Sequence, residues 1–209
     1  MKAFISIIVC ICFFPIAIHG QEYKLSKEME TFRNICLKLR EGMEKKDVNL
    51  LNDCISAYNE LDLADFDRFK SVDASNEIPI KGHLLFTPDY VDSLLLYDMN
   101  LAAINVDAPT MLRAAPYDCK LTHRALAPYS KGVYSTKGSG ERELLVVVEN
   151  GGTVNLSVND ETNHIQVEDI TPQGKESAWV CWKMERFGTY IITIENTSDQ
   201  AVSFVIVAN

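Results

Sequence analysis

The chain has 209 residues, 47% of them hydrophobic, and a formal charge of −9 from 29 acids against 20 bases. That supplies enough apolar material for a sizeable core. The acidic balance, with no dense Lys/Arg cluster, repels phosphate backbones and anionic lipid surfaces, which excludes nucleic acid as a partner class.

Residues 1–20, MKAFISIIVCICFFPIAIHG, have a lysine at position 2, an apolar run from Ala3 to Ile18 and a small residue, Gly20, before Gln21. This is the plan of a secretory signal peptide, with cleavage expected near Gly20. Pro15 and His19 interrupt the run, which is shorter than the roughly 20 apolar residues of a membrane span. Loss of Lys2 moves the charge to −10 over 189 residues. No later stretch spans a membrane, so the expected location is secreted or periplasmic. Cys10 and Cys12 leave with the leader, and four cysteines remain: Cys36, Cys54, Cys119 and Cys181. In an oxidising compartment these permit disulfides.

From Glu22 to Glu44 the apolar residues Leu25, Met29, Phe32, Ile35, Cys36, Leu39 and Met43 recur at intervals of three and four, one stripe of an amphipathic helix. Asp47 is the predicted N-cap of a second helix carrying Val48, Leu51, Cys54, Ile55 and Tyr58. So short a link makes the pair antiparallel. Cys36 and Cys54 then stand at similar heights, which makes a bridge across the hairpin feasible. Cys119 and Cys181 are the remaining candidate pair. A short third helix is predicted over Asp62 to Val72, where Leu63, Phe66 and Phe69 are spaced by three.

Beyond residue 76 the period becomes alternating. A strand is expected at Ile78 to Phe86 and a short helix at Thr87 to Tyr97. Strands then follow at Cys119–Ala125, Gly132–Ser135, Arg142–Glu149, Thr153–Asn159, Ile165–Ile170, Ser177–Met184, Thr189–Asn196 and Ala201–Ala208, separated by turn residues. In "TVNLSVN" one face is apolar and the other wet, whereas "ELLVVVE" is apolar on both faces and needs cover on each side. The predicted fold class is α+β: an antiparallel helical hairpin, residues 21–75, packed on an antiparallel, jelly-roll-like β-sandwich, residues 76–209.

The block "ELLVVVENGGTVNLSV", the entry Gly188-Thr189-Tyr190 and the final hairpin "FGTYIITIEN…VSFVIVAN" resemble the bacterial pre-peptidase C-terminal domain family over residues 134–209. The resemblance implies a small β-sandwich that binds, stabilises or accompanies a secreted enzyme. The whole-chain layout is similar to that of secreted bacterial proteins.

Chemistry-bearing residues are sparse. His83 and His123 lie in predicted strands and, with Asp89 or Asp118, would form a His/carboxylate site if the fold joined them. Asp160, Glu161 and His164 share a polar turn with Glu168 and Asp169, whose carboxylates are candidates for calcium. No zinc-protease helix, nucleophile elbow or phosphate loop is present. Trp179 and Trp182, three apart on a strand, face opposite sides, and one is a candidate platform for a sugar or a protein partner. Asn155 and Asn196 head glycosylation sequons. The sequence therefore reads as a non-catalytic binding or accessory protein with a protein or glycan partner and no required cofactor. The alternatives are a hydrolase or metal-dependent enzyme whose site is assembled by the fold, and a structural or inhibitory envelope protein.

Overall fold

Helix α1 (Lys27–Lys45) begins where the Ser26 hydroxyl accepts a hydrogen bond from the Met29 amide at 3.4 Å, with Glu28 and Glu30 in its first turn and Lys45 in its last. It ends at Lys46, which adopts a left-handed φ of 53°. Asp47 then accepts from the amides of Asn49 and Leu50, both at 3.1 Å, and starts α2 (Val48–Asn59). Both helices and the Asp47 cap follow the sequence pattern. The two approach closely at Gly42, where a Cβ would stand 3.0 Å from Leu51 Cδ2. The computed structural model to which these elements belong describes residues 24–61, 63–65, 69–80 and 119–209. The predicted signal peptide, the strand beyond Ile80, the helix at 87–97, and His83, Asp89 and Asp118 lie outside the described residues. Among the described residues no helix is long and apolar enough to cross a membrane.

Among the described residues no third helix follows α2. Instead β1 (Leu63–Asp65) runs parallel to β3 (Cys119–Leu126), and β2 (Lys70–Asp73) pairs antiparallel with β4 (Lys131–Val148). The three-residue spacing here is too short a pattern to outweigh strand pairing, and Phe69 is buried among inward-facing sheet residues.

The remaining strands are β5 (Val154–Asp160), β6 (Ile165–Asp169), β7 (Ser177–Asn196) and β8 (Val202–Ala208). The sheet runs in the order β1-β3-β8-β4-β7-β5-β6, and every pair except β1–β3 is antiparallel. Two pairs of predicted strands are fused: β4 spans 18 residues and β7 spans 20. They pair along their whole length, with a register break where Gly138 faces Gly188 and Gly140 faces Met184. Glu185, Arg186 and Phe187 bulge outward there, opposite Gly140 at φ 79°.

This bent ribbon carries two half-sheets. The C-terminal half of β4 pairs with β8, which pairs with β3 and so leads to β1. The C-terminal half of β7 pairs with β5, which pairs with β6, while β2 borders the N-terminal half of β4. One buried cluster contains Leu144, Val146, Val180 and Phe204 from the first half-sheet and Leu156, Val158, Ile192 and Ile194 from the second, so their inner faces meet in a sandwich-like core. On the opposite face of the first half-sheet, Leu121, Leu145, Val147, Val205 and Val207 share a second buried cluster with Met29, Phe32, Ile35, Cys36, Leu39, Leu51 and Cys54 of the helices.

Strand β8 lies between β3 and β4 and is buried on both faces. Phe204→Ala is therefore expected to lower the unfolding free energy by about 3–5 kcal/mol, measured by chemical denaturation with the slope unchanged.

Candidate functional site

The fold joins His123 to a carboxylate other than those of Asp89 and Asp118. Along β3, His123 shares the helix-facing side with Leu121, and its register partner is Val205 of β8. Directly after β4, Glu149 follows Leu145 and Val147 in step on that same side, its amide donating to the Ser203 carbonyl. Since Val205 also faces Val147, the histidine and the glutamate meet across the end of β8. His123 Nδ1 lies 3.2 Å from Glu149 Oε1, with side-chain exposures of 13% and 4%. The separation allows charge attraction, but the orientation misses a hydrogen bond. Among the described residues His123 Nδ1 and both carboxylate oxygens have no hydrogen-bond partner. Burial raises the Glu149 carboxyl above the usual range, partly offset by His123. The signal that locates Glu149 is parity: it ends the strand that is apolar on both faces, in step with Leu145 and Val147.

Cys36 belongs to the helical side of this cluster. Burial, followed by the Glu149 charge, pushes its thiol well above the ordinary value, and Cys54 is raised by burial as well. Such thiols are inert as nucleophiles. Neither candidate bridge is formed, since Cys36, Cys54 and Cys181 are free. Equal height on a helical hairpin is not sufficient for a disulfide; the Cβ vectors must also converge, and both residues instead join the apolar cluster shared with the sheet. Register separates the other pair. Lys120 faces Ala208, Ala208 faces Leu144 and Leu144 faces Val180. Cys119 and Cys181 thus share a row three strand spacings apart, about 14 Å, beyond the reach of a bridge. The Cys181 thiol is pushed up to about 12 by burial and by Glu143.

The polar turn between β5 and β6 has a structural use. Asp160 is fully buried; its Oδ1 accepts from the Asn163 amide at 3.1 Å and its Oδ2 from Asn163 Nδ2 at 2.8 Å. Asn163 in turn donates to the Arg186 carbonyl at 3.1 Å and accepts from the Arg186 amide at 2.9 Å. The turn is thus a clamp on the outward bulge of β7. His164, at φ 55°, completes it, and Glu161 is exposed. Among the described residues no three His, Cys, Asp or Glu side chains are grouped so as to hold a metal ion.

The tryptophans face opposite sides, as their spacing requires. Trp182 is 2% exposed in the inner core, edge-on to Tyr190 at 5.0 Å. Trp179 is half-buried against the helix-facing cluster, and its amide donates to Asp169 Oδ2 at 3.1 Å. Both sequon asparagines are buried and committed to the backbone: Asn155 Oδ1 accepts from the Thr171 amide at 3.0 Å, and Asn196 Nδ2 donates to the carbonyls of Ala127 and Gln200, each at 2.8 Å.

No protein-family model matches the chain and no curated protein matches it. Among solved structures the chain is similar to the pre-peptidase C-terminal domain of a collagenase from Bacillus anthracis, with a TM-score of 0.34 and 9% identity, over 42% of this chain and 88% of that one. It is also similar to the CENP-C cupin domain of Drosophila melanogaster (TM-score 0.28, 16% identity, 43% of this chain and 56% of that one). A third similar structure is the CBM35 module from Cellvibrio japonicus Abf62 (TM-score 0.25, 14% identity, 40% and 66%).

Asn163→Ala removes both bonds to Arg186 and is expected to cost about 1–3 kcal/mol, whereas Glu161→Ala should stay within about 0.5 kcal/mol. Urea unfolding of the two variants checks the difference.

Proposed function

We propose that the protein is a non-catalytic binding protein of the secreted or periplasmic space, with a glycan as its leading partner class. The leader-like residues 1–20 support the location. The unit that folds would be the helical region 21–75 docked on the sandwich 76–209, with the hairpin as a fixed cover over one sheet face.

The observation that carries the reading is the asymmetry of the two outer faces. The helix-facing side is apolar, and its partners are internal. The outer side of the half-sheet built on β5 is a grid of hydroxyls and amides. Register aligns Glu168, Ser157, Thr193, Val133 and Asp73 in one row, and Gln166, Asn159, Ile191, Ser135 and Lys70 in the next. Exposed Asn159, Gln166, Glu168 and Thr189 flank half-buried Ser157, Ile191 and Thr193. Such a surface exchanges bonds to water for bonds to sugar hydroxyls, and Val133 and Ile191 offer apolar contact to a pyranose face. In this reading Trp179 and Trp182 serve packing.

The test is a glycan-array screen of the wild type beside Thr193→Arg and Ser157→Arg. A bound glycan whose affinity falls about tenfold or more in both variants, at unchanged Tm, supports the reading. Equal binding by all three proteins would overturn the assignment to this face, and no glycan binding at all would overturn the partner class.

A further inference from the structure

Glu149 lies on the helix-facing side near Cys36 of α1, and among the described residues His123 is the polar side chain beside it. Its side chain is 4% exposed, both oxygens lack a hydrogen-bond donor among the described residues, and His123 Nδ1 is 3.2 Å away without a hydrogen bond. A carboxylate in such a place is tolerated while it is protonated or while a positive charge sits beside it, and it becomes costly when neither holds. The cover above it is held mainly by apolar contacts. Among the described residues its polar ties lie toward the paired β4–β7 edge of the half-sheet: the Ser26 amide donates to Glu143 Oε2 at 2.9 Å, Arg33 Nε donates to Ser177 Oγ at 2.8 Å, and Arg40 pairs with Glu176. None of these reaches Glu149.

The geometry points to a proton-sensitive cover: the helical hairpin stays closed over the sheet while the buried Glu149 carries a proton, and loosens when Glu149 loses it. Opening lets the carboxylate reach water, and it uncovers Leu145, Val147, Val205, Val207 and Trp179 on the sheet. This inference rests on the hairpin acting as a cover, as set out in the proposed function.

The direction follows from linkage. Burial raises the Glu149 carboxyl in the closed state, so the closed state binds the proton more tightly than the open one. Closure is fully favoured below the open-state value and is weakened as pH rises through the closed-state value. The titratable and charged groups on the surrounding elements are Cys36 and Arg40 on α1, Cys54 on α2, Glu176 just before β7, and His123 on β3. Strand β8 adds only neutral residues, with the Ser203 carbonyl accepting from the Glu149 amide at 2.8 Å. Arg40 is engaged by Glu176, although among the described residues its Nη1 is buried without a partner. The Cys36 and Cys54 thiols stay neutral across the range concerned.

Pulsed alkylation of the native chain, read by mass spectrometry at each cysteine, tests the inference. Cys36 is on the sheet-facing side of the cover, and a short unstructured cysteine peptide added to the same reaction serves as the standard. In the wild type the ratio of Cys36 to standard labelling should rise by about tenfold or more between pH 5 and pH 8. In Glu149→Gln, which mimics the protonated carboxyl, the ratio should stay flat at the low-pH level. His123→Asn removes the group that offsets the effect of burial on Glu149 and should open the cover at higher pH than the wild type, and the double variant should behave as Glu149→Gln alone. A flat wild-type ratio, or one that falls as pH rises, overturns the inference even if a variant fails to fold. Cys36 labelling at the denatured rate at every pH would overturn the cover itself.

Discussion

Leu144–Val148 is buried on both faces, and the arrangement of the other elements follows from that burial. A strand with Leu144, Val146 and Val148 on one side and Leu145 and Val147 on the other cannot lie on the surface of a two-layer protein without a further layer. The inner set is covered by the second half-sheet. The outer set is met by Met29, Phe32, Ile35, Leu39 and Leu51, which form the apolar stripe of the helical hairpin. The helices are thus paired with the strand by chemistry: an amphipathic element needs an apolar surface, and this strand provides one.

Pairing of β4 with β7 distributes that burial between two layers. Because both strands continue past the bulge at Gly138–Gly140, each half-sheet inherits its orientation from the same ribbon. The bulge in turn is held by the Asp160–Asn163–Arg186 bonds. A loop rich in carboxylates and amides therefore acts as a structural clamp, and the Asp160 oxygens are occupied by the protein's own donors. The sequon asparagines follow the same rule: Asn155 and Asn196 are spent on turns and strand ends.

Local pattern made much of this legible. The helical stripe, the Asp47 cap, the wet face of "TVNLSVN", the two-sided burial of "ELLVVVE" and the opposed tryptophans are all consequences of periods of 3.6 or 2, which depend on neighbours in sequence. What was not legible depends on register across strands. Glycines at 138, 140 and 188 signal a bulge as readily as a turn, so β4 and β7 read as two strands each. Leu63 and Phe69 imitate a helical spacing that strand pairing overrides. The meeting of His123 and Glu149, and the separation of Cys119 from Cys181, both pass through β8, whose place between β3 and β4 no local pattern announces.

The outer face of Leu145, Val147, Val205 and Val207 shares its buried cluster with the helices. Urea unfolding, combined with light scattering, of a chain beginning at Phe69 beside one beginning at Gln21 measures how far the sheet relies on that contact. The shorter chain should lose most of its stability and self-associate through the bared face. A soluble monomer with the same unfolding midpoint as the longer chain would show that the sheet does not need the helices.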